Sequence, residues 1–372
     1  MNLSYWEIKS WLSEIDYAIV GSGIVGLSCA IQLRELHPKA KIIVFERGDL
    51  PQGASTKNAG FACFGSMTEI LDDLNNHNEK EVVNLVQQRI QGLRQLRTLL
   101  GDNRIGFQQL GGYEIFLENE KSKYEKCAQN IPLVNALLAS VTKGETFQFR
   151  RNTFGFRGVQ DTLIFNPYEG QINTGDMMQS LLKKVYEKDI RILHSAQLHA
   201  FADDHGGVQL DFGSYQTRCS HLLIATNGFA SELMEEDVVP NRAQVLITKP
   251  VPNLKVKGTF HMDRGYYYFR NIENRILLGG GRNLDFEGEQ TSEMGLNPKI
   301  QKHLEELLRG ILLPNQKIDI DYRWSGILGT GQKKTSLIKR ISKRVSCGVR
   351  LGGMGIAIGC HVGFQLAQLS QD

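Results

Sequence analysis

One junction near the start of the chain restricts its fold more than any other feature. Asp16 to Val20 (DYAIV) is a short apolar run of β-forming residues that ends directly in Gly21-Ser22-Gly23-Ile24-Val25-Gly26, after which Leu27, Ala30, Ile31 and Leu33 recur at helical spacing. The order is strand, glycine turn, helix. In such a turn the first glycine permits a tight reversal, the second lets a pyrophosphate approach the backbone, and the third lets helix and strand pack closely. Free N–H groups and the positive end of the helix then face the phosphates. Pro38 ends the helix, Lys41 to Phe45 (KIIVF) forms a second strand, and Glu46 follows. It stands about 20 residues beyond Gly26, the offset at which a carboxylate accepts ribose hydroxyls in a dinucleotide-binding unit.

A simple nicotinamide-binding domain would continue into its next crossover helix. This chain instead reads GDLPQGASTKNAGFACFGS after Arg47. Gly53, Ala54, Ser55 and Thr56 offer backbone N–H groups and hydroxyls to phosphate oxygens, and Lys57 and Asn58 add polar reach towards a ribityl chain or ring. Two successive phosphate-binding turns predict FAD rather than NAD. No His or Cys lies in the GASTKN segment, so non-covalent binding is expected.

With 372 residues the chain suits two closely connected domains. Its 43 basic and 40 acidic residues give a formal charge of +3 without a basic stripe, which excludes a nucleic-acid or anionic-membrane footprint and leaves a small-molecule substrate. The start lacks a leader pattern and no run approaches ~20 apolar residues, so no transmembrane segment and a cytoplasmic location are expected. The six cysteines show no C-x-x-C spacing, which predicts buried reduced thiols and no metal site. Cys63 and Cys360 stand apart from the rest because both lie in glycine-rich segments that approach a cofactor. Nothing in the sequence fixes an oligomeric state.

Residues 78 to 100 carry apolar positions at helical period, with Arg89, Arg94 and Arg97 expected on the solvated face. Segments such as GGYEIFL between 105 and 165 predict strands of a separate sheet, and Asn173 to Asp176 caps a helix over 174–188. Within His261 to Arg282, Tyr266, Tyr268 and Arg270 share one face of a strand, Tyr267 and Phe269 share the other, and a hairpin turns at Glu273-Asn274. Tyrosine hydroxyls and a guanidinium converging on a cavity orient a polar substrate and bind a carboxylate by two hydrogen bonds. An ordinary sheet with hydroxyls in water is the competing account.

Over most of its length the sequence resembles the D-amino-acid oxidase and glycine oxidase (DAO) family of flavoenzymes. The resemblance rests on VGSGIVGLSCAIQL…FER, GASTKNAGF, GQINTGDMMQSLLKKV, HLLIATNGFA, VPNRAQVLIT, GYYYFRNIENRILLGGG and RLGGMGIAIGCHVGFQLAQ, in that order. Ser4-Tyr5-Trp6 with GAS-x-x-N-A-G is similar to the branch containing gamma-glutamylputrescine oxidase. The resemblance implies an α/β fold: a discontinuous Rossmann-like FAD-binding domain of glutathione-reductase type (1–80, 166–232, 338–372). Interleaved with it is an α+β substrate domain on a mostly antiparallel sheet (81–165, 233–337).

It also implies roles. Gly21 to Gly26 take the pyrophosphate, Glu46 the adenosine ribose, and Arg47 lies beside the adenine. Ala54, Ser55, Thr56, Lys57, Asn58, Ala59 and Gly60 hold the phosphates and the inner flavin edge. Gln197 or Leu198, in the strand before DDHGG, supply backbone contacts to adenine, and Ala225, Thr226, Asn227 and Gly228 close that side. Gly352, Gly353, Met354, Gly355, Ile356 and Ala357 place N–H groups against the pyrimidine edge of the ring. The implied reaction oxidises the C–N bond of an amine or amino acid by hydride transfer to flavin N5, and the imine then hydrolyses. Lys57, His261 or water takes the ammonium proton.

The sequence departs from the family where an arginine commonly follows the late strand: Leu328 aligns there, and Gln332 to Ser336 replace the expected Asp and Pro. Arg270 or Arg323 is expected to substitute, or the substrate carries no α-carboxylate. Oxidation of a 2-hydroxy acid and a non-catalytic flavin-binding subunit are the alternatives.

Overall fold

The computed structural model describes residues 2–370. Met1, Gln371 and Asp372, which the expected boundaries include, lie outside the described residues. Two eight-stranded sheets organise the chain. In the first, Gln216–Ile224, Ile15–Val20, Ile42–Phe45 and Arg191–Leu193 lie side by side in parallel, and Val345–Val349 continues the parallel set beyond Gln216–Ile224. Leu337–Arg340 closes that edge antiparallel. Both faces are covered, which explains why the strands read as continuous apolar runs rather than alternating ones. Ile19, Ile42 and Val44 pack under helices Ile24–Leu36, Thr174–Glu187 and Gly355–Leu369, while Ala18, Val20, Ile43 and Phe45 pack under the antiparallel strands Ala200–Asp204 and Gly207–Asp211.

The second sheet runs Ile320–Thr330, Val239–Thr248, Arg275–Gly280, Tyr267–Ile272, Thr259–Met262, Gly112–Ile115, Thr162–Asn166, Gln148–Arg151. It is antiparallel except where Thr259–Met262 meets Gly112–Ile115. Its strands and those of the first sheet alternate along the chain, so the polypeptide passes between the two layers repeatedly. One face buries Phe260, Phe269, Leu246 and Leu278 against helix Pro298–Leu307, and the Phe260 and Phe269 rings stack at 4.6 Å. The opposite face carries Val245, Leu277 and Tyr268 towards Ala59 and Phe61 of the second glycine turn.

Several expectations require correction. Helix Glu79–Leu100 packs against the first sheet as well, with Leu93, Leu96 and Leu100 in its core. At its crossing with Gly355–Leu369 a Cβ on Gly92 would come within 2.3 Å of the Ala357 oxygen. Arg89 is not solvated; it is 6% exposed and donates to the Phe64 carbonyl at 2.8 Å. Arg97 is pinned to Asp102 and lies over the Phe107 ring. Helix Lys121–Leu138, in a stretch expected to hold strands, packs with helices Met67–Asn76 and Glu79–Leu100. The Glu273-Asn274 hairpin and the Asn173 cap form as expected, the Asn173 Oδ1 accepting from the Gly175 N–H at 2.9 Å and Asp176 at 3.2 Å. Among the described residues no helix is long and apolar enough to cross a membrane.

Candidate active site

A cavity of about 530 Å³ runs between the two sheets, a size typical of ligand sites. At one end the turn after strand Ile15–Val20 enters helix Ile24–Leu36. Gly21 has φ +104°, and a Cβ there would meet the Ala225 oxygen at 2.7 Å. Gly26 packs so closely that its Cβ would lie 1.9 Å from the Gly21 oxygen, which places helix on strand and puts Gly26 itself behind the cavity wall. Gly21, Ser22, Gly23, Ile24 and Val25 line the cavity. At Glu46, Oε2 accepts from the Ser22 N–H at 3.1 Å and its hydroxyl at 2.5 Å, and Oε1 accepts from the Gly48 N–H at 3.0 Å. A carboxylate has about four acceptor positions, so Glu46 is held in place with one still open towards the cavity. Arg47 stacks over the Phe229 ring at 3.7 Å and lies 3.7 Å from Glu232.

The second turn folds into the short helix Ala54–Lys57. Ser55 Oγ accepts from the Ile24 N–H at 2.9 Å, so the two turns touch. Thr56 does not face the cavity; its hydroxyl turns back to the Pro51 carbonyl at 2.8 Å. Asn58 lines the cavity with a side chain that is already engaged. Its amide donates to Ser55 O at 2.8 Å, and its Oδ1 accepts from the Gly60 N–H at 2.8 Å and the Thr174 hydroxyl at 2.9 Å. It shapes the loop rather than reaching across it. Ala54, Lys57, Ala59 and Gly60 line the wall, and the Lys57 carbonyl accepts from the Trp324 indole at 2.9 Å.

Gln197 and Leu198 also line the cavity, from an extended connection rather than the expected strand. Ala225, Thr226 and Asn227 face it across the space, whereas Gly228 is packed away, its Cβ position 2.4 Å from the Leu328 oxygen. At the other end of the chain Gly352, Gly353, Met354, Gly355 and Ile356 line the wall where helix Gly355–Leu369 begins, and Ala357 is buried behind them.

The substrate-side wall comes from the second sheet. His261 and Tyr268 are cross-strand partners, and both rings meet Phe61 edge-on, at 5.3 and 5.5 Å. Tyr266 lines the same space from the turn before the strand. Burial pushes the Tyr268 phenol up to about 12, so it is a hydrogen-bond donor at neutral pH. Cys63 lines the cavity and Cys360 does not; all six thiols are buried and free.

Neither arginine expected to hold a substrate carboxylate reaches the cavity. Arg270 is 4% exposed and donates to the Ala59 and Ile172 carbonyls, the latter at 2.9 Å, stitching the second turn to the sheet. Burial lowers its guanidinium to about 10, which leaves it charged. Arg323 donates to Gln301 at 2.7 Å and to Glu305 at 2.5 Å on the far side. The arginine that sequence reasoning missed is Arg264. It lines the cavity from a turn in which Asp263 and Arg264 both adopt positive φ, and among the described residues its guanidinium has no ion-pair or hydrogen-bond partner. Arg282 also lines the cavity and donates to Asn241 at 3.0 Å. Across the mouth, Lys334 pairs with Asp72 and Asp73.

The residues fit an extended dinucleotide. Among the described residues the Thr226 hydroxyl is buried without a partner at the cavity wall, and Cβ positions at Gly352 and Gly353 open into free space beside the helix N-terminus. Such a terminus favours an anionic group.

Comparison with known proteins agrees with this geometry. The family model DAO, described as FAD dependent oxidoreductase, matches residues 16–369. A curated relative named Probable oxidoreductase OrdL, from Haemophilus influenzae, is 19% identical over 372 aligned positions that cover 93% of this chain and 80% of its own. Among solved structures, an L-proline dehydrogenase from P. horikoshii superposes with TM-score 0.75 at 14% identity, covering 96% of this chain and 93% of the other. A glycine oxidase from Geobacillus kaustophilus gives 0.74 at 17% identity, with 96% and 94% covered.

Proposed function

The chain belongs to the DAO family of FAD-dependent oxidoreductases, and we propose that it oxidises the C–N bond of an amine or amino acid to an imine that hydrolyses. Structural neighbours named for proline, glycine and iminodiacetate oxidation support that substrate class. The observation that carries the reading is a single cavity with two phosphate-suited turns at one end and the His261, Tyr266 and Tyr268 wall at the other. Gly21 to Val25 and Ala54, Ser55 and Lys57 to Gly60 hold FAD non-covalently, with Glu46, Arg47, Gln197, Leu198 and Ala225 to Asn227 at its adenosine end and Gly352 to Ile356 at its ring. Bound FAD supplies the acceptance of two electrons from the C–N bond.

The protein itself orients the reacting carbon and excludes water. Tyr266 and Tyr268 offer hydroxyl donors, and Phe61, Ile327, Leu328 and Met354 give apolar walls. Arg264, with its free guanidinium, is the cation best placed to receive a substrate carboxylate at the rim; Lys57 lies towards the cofactor side. The motif GAS-x-x-N-A-G keeps the gamma-glutamylputrescine oxidase-like branch as our reading within the family.

Anaerobic bleaching of the flavin by a panel of amines and amino acids, against a panel of 2-hydroxy acids, tests the reading. Bleaching by the first panel alone is expected. Bleaching by the second alone favours the hydroxy-acid reading, to which the histidine at the cavity wall lends weight. Bound flavin that no compound bleaches favours a non-catalytic flavin-binding subunit.

A further inference from the structure

Three buried groups meet at the base of the substrate wall. The Cys63 thiol, the Glu169 carboxylate and the His261 imidazole come from separate segments, and their ligand atoms all lie within 4.8 Å of one another. Cys63 and His261 line the cavity, and Glu169 stands immediately behind them. The juxtaposition is set by backbone pairing. Strand Gly170–Gln171, directly after Glu169, pairs with Phe61–Ala62, while Thr259–Met262 presents His261 opposite Tyr268.

Burial raises the Glu169 carboxyl above the usual carboxylate range, and the neighbouring His261 and the donors it accepts from pull it back towards the charged form. Its Oε1 accepts from the Phe64 N–H at 2.9 Å and the Gly65 N–H at 3.2 Å, two fixed donors that favour the carboxylate form. Its Oε2 lies 3.9 Å from His261 Nε2, which has no hydrogen-bond partner among the described residues. A buried ring nitrogen left unpaired is costly, and a protonated one is compensated by an adjacent carboxylate. Cys63 plays a different part. Burial and the Glu169 charge push its thiol well above the usual range, so the sulfur keeps its own proton and does not compete for one from the substrate.

We propose that His261 and Glu169 form the proton-accepting pair of this active site. The inference rests on the C–N oxidation reading. The N–H bond of the substrate ammonium breaks, the proton forms an N–H bond on the His261 ring, and the electron pair stays on the substrate nitrogen as the lone pair of the neutral amine. Glu169 is a positioning residue: it orients the ring and neutralises the imidazolium. The proton passes to water when product leaves, so no oxidant or reductant enters this step. The other titratable groups around the pair are Cys63, Tyr268 and Glu114 opposite His261 on its two flanking strands, Glu69 from helix Met67–Asn76 and Arg89 from helix Glu79–Leu100.

The test uses FAD-loaded wild type, His261→Asn and Glu169→Gln. Nitrogen-15 NMR of ring-labelled histidine across a pH series, with the His261 signal assigned by its loss in His261→Asn, is expected to show a neutral ring free to take a proton at the working pH and, in Glu169→Gln, a fall in the pH at which that ring gains its second proton. An unchanged signal overturns the proposal, whatever the substrate. Flavin bleaching by the best amine is expected to slow about 10²-fold to 10⁴-fold in His261→Asn at neutral pH. It should recover to within a few-fold of wild type as pH approaches that at which the amine deprotonates unaided. A loss that stays constant with pH, or no loss, overturns the proposal. If no amine bleaches wild type, the C–N reading fails on its own, and the NMR result still decides whether Glu169 makes the His261 ring a better proton acceptor.

Discussion

The Ile24 N–H donates to the Ser55 Oγ at 2.9 Å, joining the first glycine turn to the second at the point where the helix N-terminus faces the cavity. A Cβ on Gly23 would lie 2.8 Å from the same Ser55 oxygen. Both turns therefore share one small space. Gly23→Val is expected to remove bound flavin from the purified protein, measured as loss of its visible absorbance, with far-ultraviolet dichroism retained. Ser55→Ala removes one donor and acceptor without adding bulk. Its FAD affinity should fall about tenfold to hundredfold, the worth of a hydrogen bond to a charged group, measured by fluorescence titration.

Arg270 and Arg264 should separate cleanly. Arg270→Met leaves the buried Ala59 and Ile172 carbonyls without their donor, so it should cost about 2–4 kcal/mol in denaturant unfolding and weaken flavin retention. KM for carboxylate-bearing and carboxylate-free substrates should change alike. Arg264→Ala should leave stability near wild type and raise KM about tenfold to hundredfold for carboxylate-bearing substrates alone. Equal effects on the two substrate types would remove Arg264 from the site.

Glu46 is 6% exposed and accepts three hydrogen bonds from Ser22 and Gly48. Glu46→Ala strands those donors, and a loss of about 1–3 kcal/mol is expected by denaturant unfolding of the flavin-free protein. The loss should grow when FAD is present, because the variant also lacks the carboxylate at the adenosine end.

Glu114 gives a pH signature. Burial pushes its carboxyl from 4.5 up to about 7, against hydrogen bonds from Thr68 that pull it down. Below about 4.5 the group is protonated in folded and unfolded chains alike. As pH rises from about 4.5 to about 7 the unfolded chain ionises while the folded one resists, so stability falls by about 3 kcal/mol across that window and changes little above it. Glu114→Gln should abolish that part of the slope, so the difference in unfolding free energy between variant and wild type should move in the variant's favour from pH 5 to pH 8.

The glycine turn, the helix after it, the strand ending at Glu46 and the cap at Asn173 were all legible because each is a local pattern. A turn needs its glycines in order, and a helix end needs its acceptor within three residues. The face of Tyr268 was legible from parity, since strand neighbours alternate. Arg270 shares that parity and points to the same side, yet it meets main-chain carbonyls from Ala59 and Ile172 rather than open space. Arg89 misled for the same reason: helical period assigned it a polar face, and the carbonyl it satisfies belongs to Phe64. Helix Lys121–Leu138 went unread beside the strands around it.

By itself, then, the sequence determined the dinucleotide turn, the second cradle and the succession of strands and helices, because these depend on residues a few positions apart. Only the tertiary structure decided which cations stay available in the cavity, and that Glu169 stands beside His261 and Cys63. Those meetings depend on the register of Gly170–Gln171 against Phe61–Ala62 and on the parallel pairing of Thr259–Met262 with Gly112–Ile115. Long-range register is fixed by the packing of both sheets at once, and no short-range pattern encodes it.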